Sequence, residues 1–241
     1  EGMMQARPEE MRRGCHVPTA LYRTPPNPDC RLGSDKAALD GILIGDSYAN
    51  HYTGMVDVMA RAAGLAFMDY TMDACLPILG YQPEGARTYA EKCRLRNEAA
   101  YQMIRTNRYR QVILAANWPD ASEAGGRLIS SIEAVIGTGA TVTVVMGNAM
   151  IERAGSCPLR RIMYRTTEDC EGMRPSPPGY FSEIRSRYPQ VRFIDPNEVL
   201  CQGNKCSPLI GDILLYRDSG HLNDIGSRLI GHSLLRRGIS L

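Results

Sequence analysis

The chain has 241 residues, 44% hydrophobic and 22% charged, with a formal net charge of +2. That balance is ordinary for a globular protein with room for one sizeable core. Both charge signs are interspersed, without a basic footprint or an aromatic-and-arginine stripe, which sets nucleic acid aside as a partner.

The sequence starts at Glu1 rather than methionine, so we read it as a fragment or a processed form. No run approaches the roughly 18 to 20 apolar residues of a membrane span, and nothing reads as a signal peptide. A membrane anchor elsewhere in a parent chain would leave no trace here. Residues 1–37 carry a charged run from Arg7 to Arg13, then Pro18, Pro25, Pro26 and Pro28 between Cys15 and Cys30. Such a composition cannot make its own core, so it reads as an extension fastened to a main domain at 38–241.

The main domain opens on Gly41 to His51. Ile42, Leu43 and Ile44 are an apolar run suited to a strand covered on both faces, and Gly45 ends it. Asp46 and Ser47 then open a helix, with Tyr52, Met55, Val56, Met59 and Ala63 at helical spacing and Gly64 as its stop. Asp46 and Ser47 are favoured helix caps in their own right. A serine in that place also faces the crevice where open α/β sheets bind ligands, beside unpaired amides that favour negative charge. His51, four residues on, shares its helix face and is a candidate to touch substrate or simply to pack locally.

Residues 65–70 read as a second strand and 71–77 as its loop. A helix over about 89–108 follows, apolar at Leu95, Ala99, Met103 and Ile104. Residues 111–115 form a third strand that delivers Asn117 and Trp118. Trp118, the lone tryptophan, is a candidate wall for a sugar ring, or packing. A helix over 122–137 and a strand over 141–146 come next. Alternation of this kind implies a mostly parallel sheet sandwiched by helices. From Asn148 to Gly179 the pattern loosens into a long loop after a strand end, placed to shape an acceptor pocket. Its Arg160, Arg161 and Arg165 suit an anionic polysaccharide or a solvated surface. A short helix over 181–188, a strand over 191–195 and a last helix from Leu222 complete the pattern, with His232 as a surface residue.

Eight cysteines fall into four local couples, and sequence alone leaves 105 connectivities open. Local spacing makes Cys15 with Cys30, Cys75 with Cys93, Cys157 with Cys170 and Cys201 with Cys206 the simplest set. With no Cys-x-x-Cys and no histidines clustered among them, no metal site is expected. Disulfides imply an oxidising compartment, periplasmic or extracellular.

After a second apolar run, Ile213 to Leu215, comes Asp218-Ser-Gly-His221. A serine nucleophile needs a base, and the base needs a partner to set its tautomer; Asp218 and His221 suit those posts. Gly45-Asp46-Ser47 and Asp218-x-x-His221 resemble the first and fifth blocks of the SGNH (GDSL-type) esterase and acyltransferase superfamily. The fuller strings, Gly-Asp-Ser-Tyr-Ala-Asn-His and Asp-Ser-Gly-His-Leu-Asn-Asp-Ile-Gly, resemble one branch. That branch is the extracytoplasmic SGNH domain fused to family-three membrane acyltransferases, which O-acetylate bacterial surface polysaccharides.

The resemblance implies a three-layer α/β/α sandwich and a catalytic triad of Ser47, Asp218 and His221. It implies an oxyanion hole from the Ser47 amide, the Asn117 side chain and the amide of Ala74, where family members carry glycine. It further implies O-acyl transfer, most simply of acetyl, through a serine acyl-enzyme to a polysaccharide hydroxyl. No cofactor is expected, because the acyl donor comes from another domain or protein. The expected partners are the polysaccharide and a membrane acyltransferase domain in the parent chain, which would tether this domain to the inner membrane. The same triad also serves a carbohydrate O-acetyl esterase, and a non-catalytic carbohydrate-binding domain is the rival from another class.

Overall fold

The computed structural model describes residues 14–80 and 87–241; the charged run from Arg7 to Arg13 lies outside them. The first half contains β1 (His16–Val17), β2 (Arg31–Gly33), β3 (Gly41–Gly45), α1 (Ser47–His51), α2 (Thr53–Ala62), β4 (Ala66–Met72), α3 (Arg87–Asn107) and β5 (Gln111–Ala115). The second contains α4 (Ser122–Ile136), β6 (Thr141–Val145), α5 (Cys157–Tyr164), β7 (Gly172–Met173), α6 (Tyr180–Arg187), β8 (Arg192–Ile194) and α7 (Asn197–Leu200). Short strands β9 (Cys201–Gln202), β10 (Lys205–Cys206), β11 (Leu209–Ile210) and β12 (Ile213–Leu214) lead to α8 (Asp224–Arg236).

Among the described residues, seven strands form the main sheet in the order β1-β4-β3-β5-β6-β8, with β2 also on β4. Every pairing is parallel except that of β2. The pleat explains how one strand feeds two cores. Ile42, Ile44, Val112, Leu114, Val142 and Val144 enter one core, and the alternating Leu43, Ile113 and Val145 enter another. The first core is closed by Tyr101 and Ile104 of α3, Leu128 and Ile132 of α4, and Phe181 and Ile184 of α6. The second is closed by Met55 and Met59 of α2 with Ile230 and Leu234 of α8. The fold is the expected three-layer α/β/α sandwich.

Residues 14–37, set apart by composition, lay β1 and β2 along β4, where Val17 and Leu32 are buried. Too poor in apolar residues for a core of their own, they complete the edge of the main one. The Cys15–Cys30 disulfide closes the excursion between the two strands, and Arg96 of α3 donates to the Thr24 carbonyl at 2.6 Å. The other cysteines are joined as Cys75–Cys93, Cys157–Cys170 and Cys201–Cys206.

Two local readings change. The single helix expected from Ser47 to Gly64 is a pair, α1 and α2, that meets at Tyr52. The stretch read as loop from 148 to 179 contains α5 and β7. Pro158 starts α5 in a position where a missing N–H costs nothing. Beyond that proline the helix faces solvent, so no apolar stripe marks it in the sequence.

Candidate active site

Ser47 stands at the first turn of α1, at the carboxyl end of the central strand β3. The turn that places it needs glycine at position 45: φ is +154°, and an added Cβ would lie 1.7 Å from the Ala115 carbonyl oxygen. Asp46 caps α1 by accepting from the Tyr48 amide at 2.8 Å, and it also accepts from the Asn117 amide at 3.0 Å. One carboxylate thus ties the Ser47 turn to the loop after β5. Burial pushes its pKa up to about 6, against the backbone donors, which pull it down.

The opposite end of the chain meets this turn. His221 Nε2 lies 2.9 Å from Ser47 Oγ, and His221 Nδ1 lies 2.9 Å from Asp218 Oδ2. The carboxylate at Nδ1 holds the proton there and leaves Nε2 to accept from the serine. The loop is built to hold that line. Asp218 Oδ1 accepts from the amides of Gly220 at 2.8 Å and His221 at 2.7 Å, and the Arg217 amide donates to the His221 carbonyl at 2.9 Å. Burial works to raise the Asp218 pKa, but the two backbone donors and the imidazole outweigh it, and the carboxyl sits below its ordinary value. Gly155 backs directly onto the loop, since a Cβ there would fall 2.3 Å from the Arg217 carbonyl oxygen.

A cavity of about 590 Å³ opens over the serine, lined by Ser47, His221, Tyr48, Ala74, Tyr89 and Asn117 among others. Asn117 is exposed at its edge. Ala74, also exposed, takes the left-handed φ of +52°, a conformation that suits the glycine found there in the resembling family. The Tyr89 hydroxyl donates to the Ala74 carbonyl, and the Cys75–Cys93 disulfide fastens the next residue to α3. A second cavity of about 300 Å³ shares Asn117 and Met150 with the first and is walled by Trp118 and by Pro175, Ser176, Pro177 and Pro178.

His51 and Trp118 are placed otherwise than as substrate contacts at the serine. His51 is fully buried, its ring 4.8 Å from that of Tyr48, 4.1 Å from that of Tyr52 and 5.6 Å from that of His221. These neighbours enclose the ring, which does not line the cavity over Ser47. Burial, then the nearby His221 and Arg217, drive its pKa well below the ordinary value, so the ring is neutral. Trp118 is also buried, donates from Nε1 to the Val145 carbonyl at 2.7 Å, and lines the second cavity.

Asn148 is a residue that sequence reasoning missed. Buried just beyond β6, it accepts from the Tyr52 hydroxyl at 2.7 Å and donates to the Gly220 carbonyl at 3.0 Å, bracing the histidine loop from below. Its place after a parallel strand, like that of Asn117, is the signal that points to it. Tyr48 was missed as well. Its ring lies 5.0 Å from that of His221 and gives the imidazole an aromatic bed.

The family model described as the SGNH domain fused to AT3 domains matches residues 14–236. The chain belongs to that SGNH family. No curated protein matches the sequence. Among solved structures, this SGNH domain resembles the periplasmic domain of a lipopolysaccharide acetyltransferase from Salmonella ser. Paratyphi A. The TM-score is 0.62 and the identity 15%, over 84% of each chain. A catalytic mutant of an acetylxylan esterase from Geobacillus stearothermophilus is more remote, with TM-score 0.45 and 12% identity over 84% of this chain and 95% of that one. At these identities the likeness is one of fold.

Proposed function

We propose that this SGNH domain is a serine-dependent O-acyltransferase that carries an acyl group, most simply acetyl, on Ser47 and passes it to a sugar hydroxyl of a bacterial surface polysaccharide. The observation that carries the reading is the continuous hydrogen-bonded line from Ser47 Oγ through His221 to Asp218. In the first step the Ser47 proton moves to His221 Nε2 as Oγ bonds to the acyl carbonyl carbon, and Asp218 holds the imidazolium. The oxyanion is received by the Ser47 amide, the Asn117 side chain and the Ala74 amide. His221 then protonates the leaving group. In the second step a sugar hydroxyl gives its proton to His221 and attacks the acyl carbon, and Ser47 departs with the proton returned.

No cofactor enters these steps; the acyl group is brought by another domain or protein. The family's fusion to AT3 domains supports a membrane acyltransferase as that donor and a tether in the parent chain. Four disulfides support a periplasmic or extracellular setting. The lipopolysaccharide acetyltransferase of similar fold supports a polysaccharide acceptor.

The test is release of acetate from a chromogenic acetyl ester, followed by transfer of labelled acetate to added polysaccharide. Ser47→Ala should lower release at least 10⁴-fold. Equal release by both proteins would end the catalytic reading. Release without any transfer to sugar would make the domain an esterase.

A further inference from the structure

Helix α5 is built unlike the other helices of the domain. Only Cys157 and Pro158 at its start are buried, and every residue from Arg160 to Thr167 is exposed. Three consecutive large apolar side chains stand in solvent there: Ile162 at 78%, Met163 at 70% and Tyr164 at 65% exposure. Three neighbours on a helix span most of its circumference, so no small rotation would bury them. Scattered apolar residues on a surface are ordinary, but a contiguous group on a projecting element marks an interaction site.

The charge around them narrows the partner. Between Pro158 and Thr167 there are three arginines, Arg160, Arg161 and Arg165, and no acidic residue. Arg160 lies 5.8 Å over the Tyr164 ring and 3.9 Å from Glu168, whose carboxylate is already engaged by Arg153. Arg161 and Arg165 form no ion pair with any described residue. Guanidinium groups match phosphate oxygens, while Ile162 and Met163 offer nothing to a sugar hydroxyl. Aliphatic side chains and a tyrosine flanked by arginines are the make-up of a helix that lies in the boundary between lipid headgroups and acyl chains.

The root of this helix is fixed to the triad. The Ile151 amide donates to the Ser219 carbonyl at 2.8 Å, the Arg153 amide donates to Ser219 Oγ at 3.0 Å, and the Cys157–Cys170 disulfide clamps the turn that follows. Met150, on the same segment, lines the cavity over Ser47.

We propose that α5 is a binding site for anionic phospholipid: Ile162, Met163 and Tyr164 enter the headgroup boundary while Arg160, Arg161 and Arg165 take lipid phosphates. Docked so, the rim of the Ser47 cavity that carries Met150 and the Asp218 loop is held next to the bilayer. The inference rests on exposure and charge, and it stands apart from the acyl-transfer reading.

The experiment is co-flotation of the 241-residue chain with vesicles of phosphatidylglycerol and phosphatidylcholine, against vesicles of phosphatidylcholine alone. The chain should float with the anionic vesicles, and binding should fall steeply as salt is raised. Replacing Arg160, Arg161 and Arg165 together by glutamine should weaken binding on the order of 100-fold, at about tenfold or less per arginine. The double variant Ile162→Asp, Met163→Asp should weaken it at least tenfold. An unchanged melting temperature shows that each variant is folded. Equal flotation with both vesicle types, no flotation at all, or undiminished binding by both variants overturns the proposal. Variants that lose binding to a soluble anionic polysaccharide but not to vesicles overturn it too.

Discussion

Ser47, His221 and Asp218 are joined to one another by hydrogen bonds before any substrate arrives. Across the cavity, the Asn117 amide donates to Asp46 of the same turn, and the Ala74 carbonyl accepts from Tyr89 of α3. Both residues lie at an exposed edge. The Ser47 side of the rim is therefore linked side chain to side chain, and the Asn117 and Ala74 side through backbone groups. Substitutions should separate the two: on the first half they break the proton line, and on the second they remove a donor while the line stays whole.

The largest effect short of removing the nucleophile is expected at Asp218→Asn, which puts a donor where Nδ1–H needs an acceptor. Ester turnover should fall on the order of 10³- to 10⁴-fold with the fold intact; a variant that keeps more than a tenth of the rate would dismiss Asp218 from the triad. Asn117→Ala tests the other half. It should lower kcat about 10²- to 10³-fold and leave KM within about twofold, because the lost bond forms only as charge develops on oxygen. A loss confined to KM would assign Asn117 to substrate binding instead.

Asp46 joins the halves, and its titration can be read as stability. Its folded pKa, about 6, lies above the ordinary value of 3.8. Its contribution is thus fully present below pH 4 and declines as pH rises through 6, by about 3 kcal/mol. Asp46→Asn keeps a capable cap, so the variant should lose this slope when urea midpoints are compared at pH 4 and pH 7. A parallel pH dependence in the two proteins would contradict the assignment. Asp218 runs the opposite way, since its lowered pKa gives stability above the ordinary carboxylate range that is lost as pH falls through the folded value.

Ala74→Gly should do least. Relief of the left-handed strain and the added freedom of the unfolded chain offset each other to within about 1 kcal/mol, and turnover should stay within about threefold. A large drop in turnover would show that the methyl group itself shapes the cavity.

Much of the molecule was legible in the residues. Ile42 to Ile44 and Val112 to Ala115 are apolar without alternation, and that alone requires a sheet covered on both faces. The strand at 111–115 is found at those bounds, and the four cysteine couples are the four disulfides. His51 was left open between substrate contact and local packing because helical spacing says which residues share a face and not whether the core or the crevice lies in front of it. α5 left no periodic signal because its apolar residues are consecutive and exposed. Asn148 carries no motif, and its importance comes from Tyr52 and Gly220, which lie far from it in the chain.

The sequence by itself determined the alternation of strands and helices, the two motif-bearing turns and the residue types that acid-base and acyl chemistry require. These are local properties, written in periodicity, turn residues and side-chain chemistry. Tertiary structure alone decided that a serine and an imidazole 174 residues apart meet at 2.9 Å. It also decided that one aspartate bridges two loops and that a neighbouring histidine is sealed beneath the site. Distance between remote residues follows from how helices pack on a twisted sheet, and no local pattern encodes it.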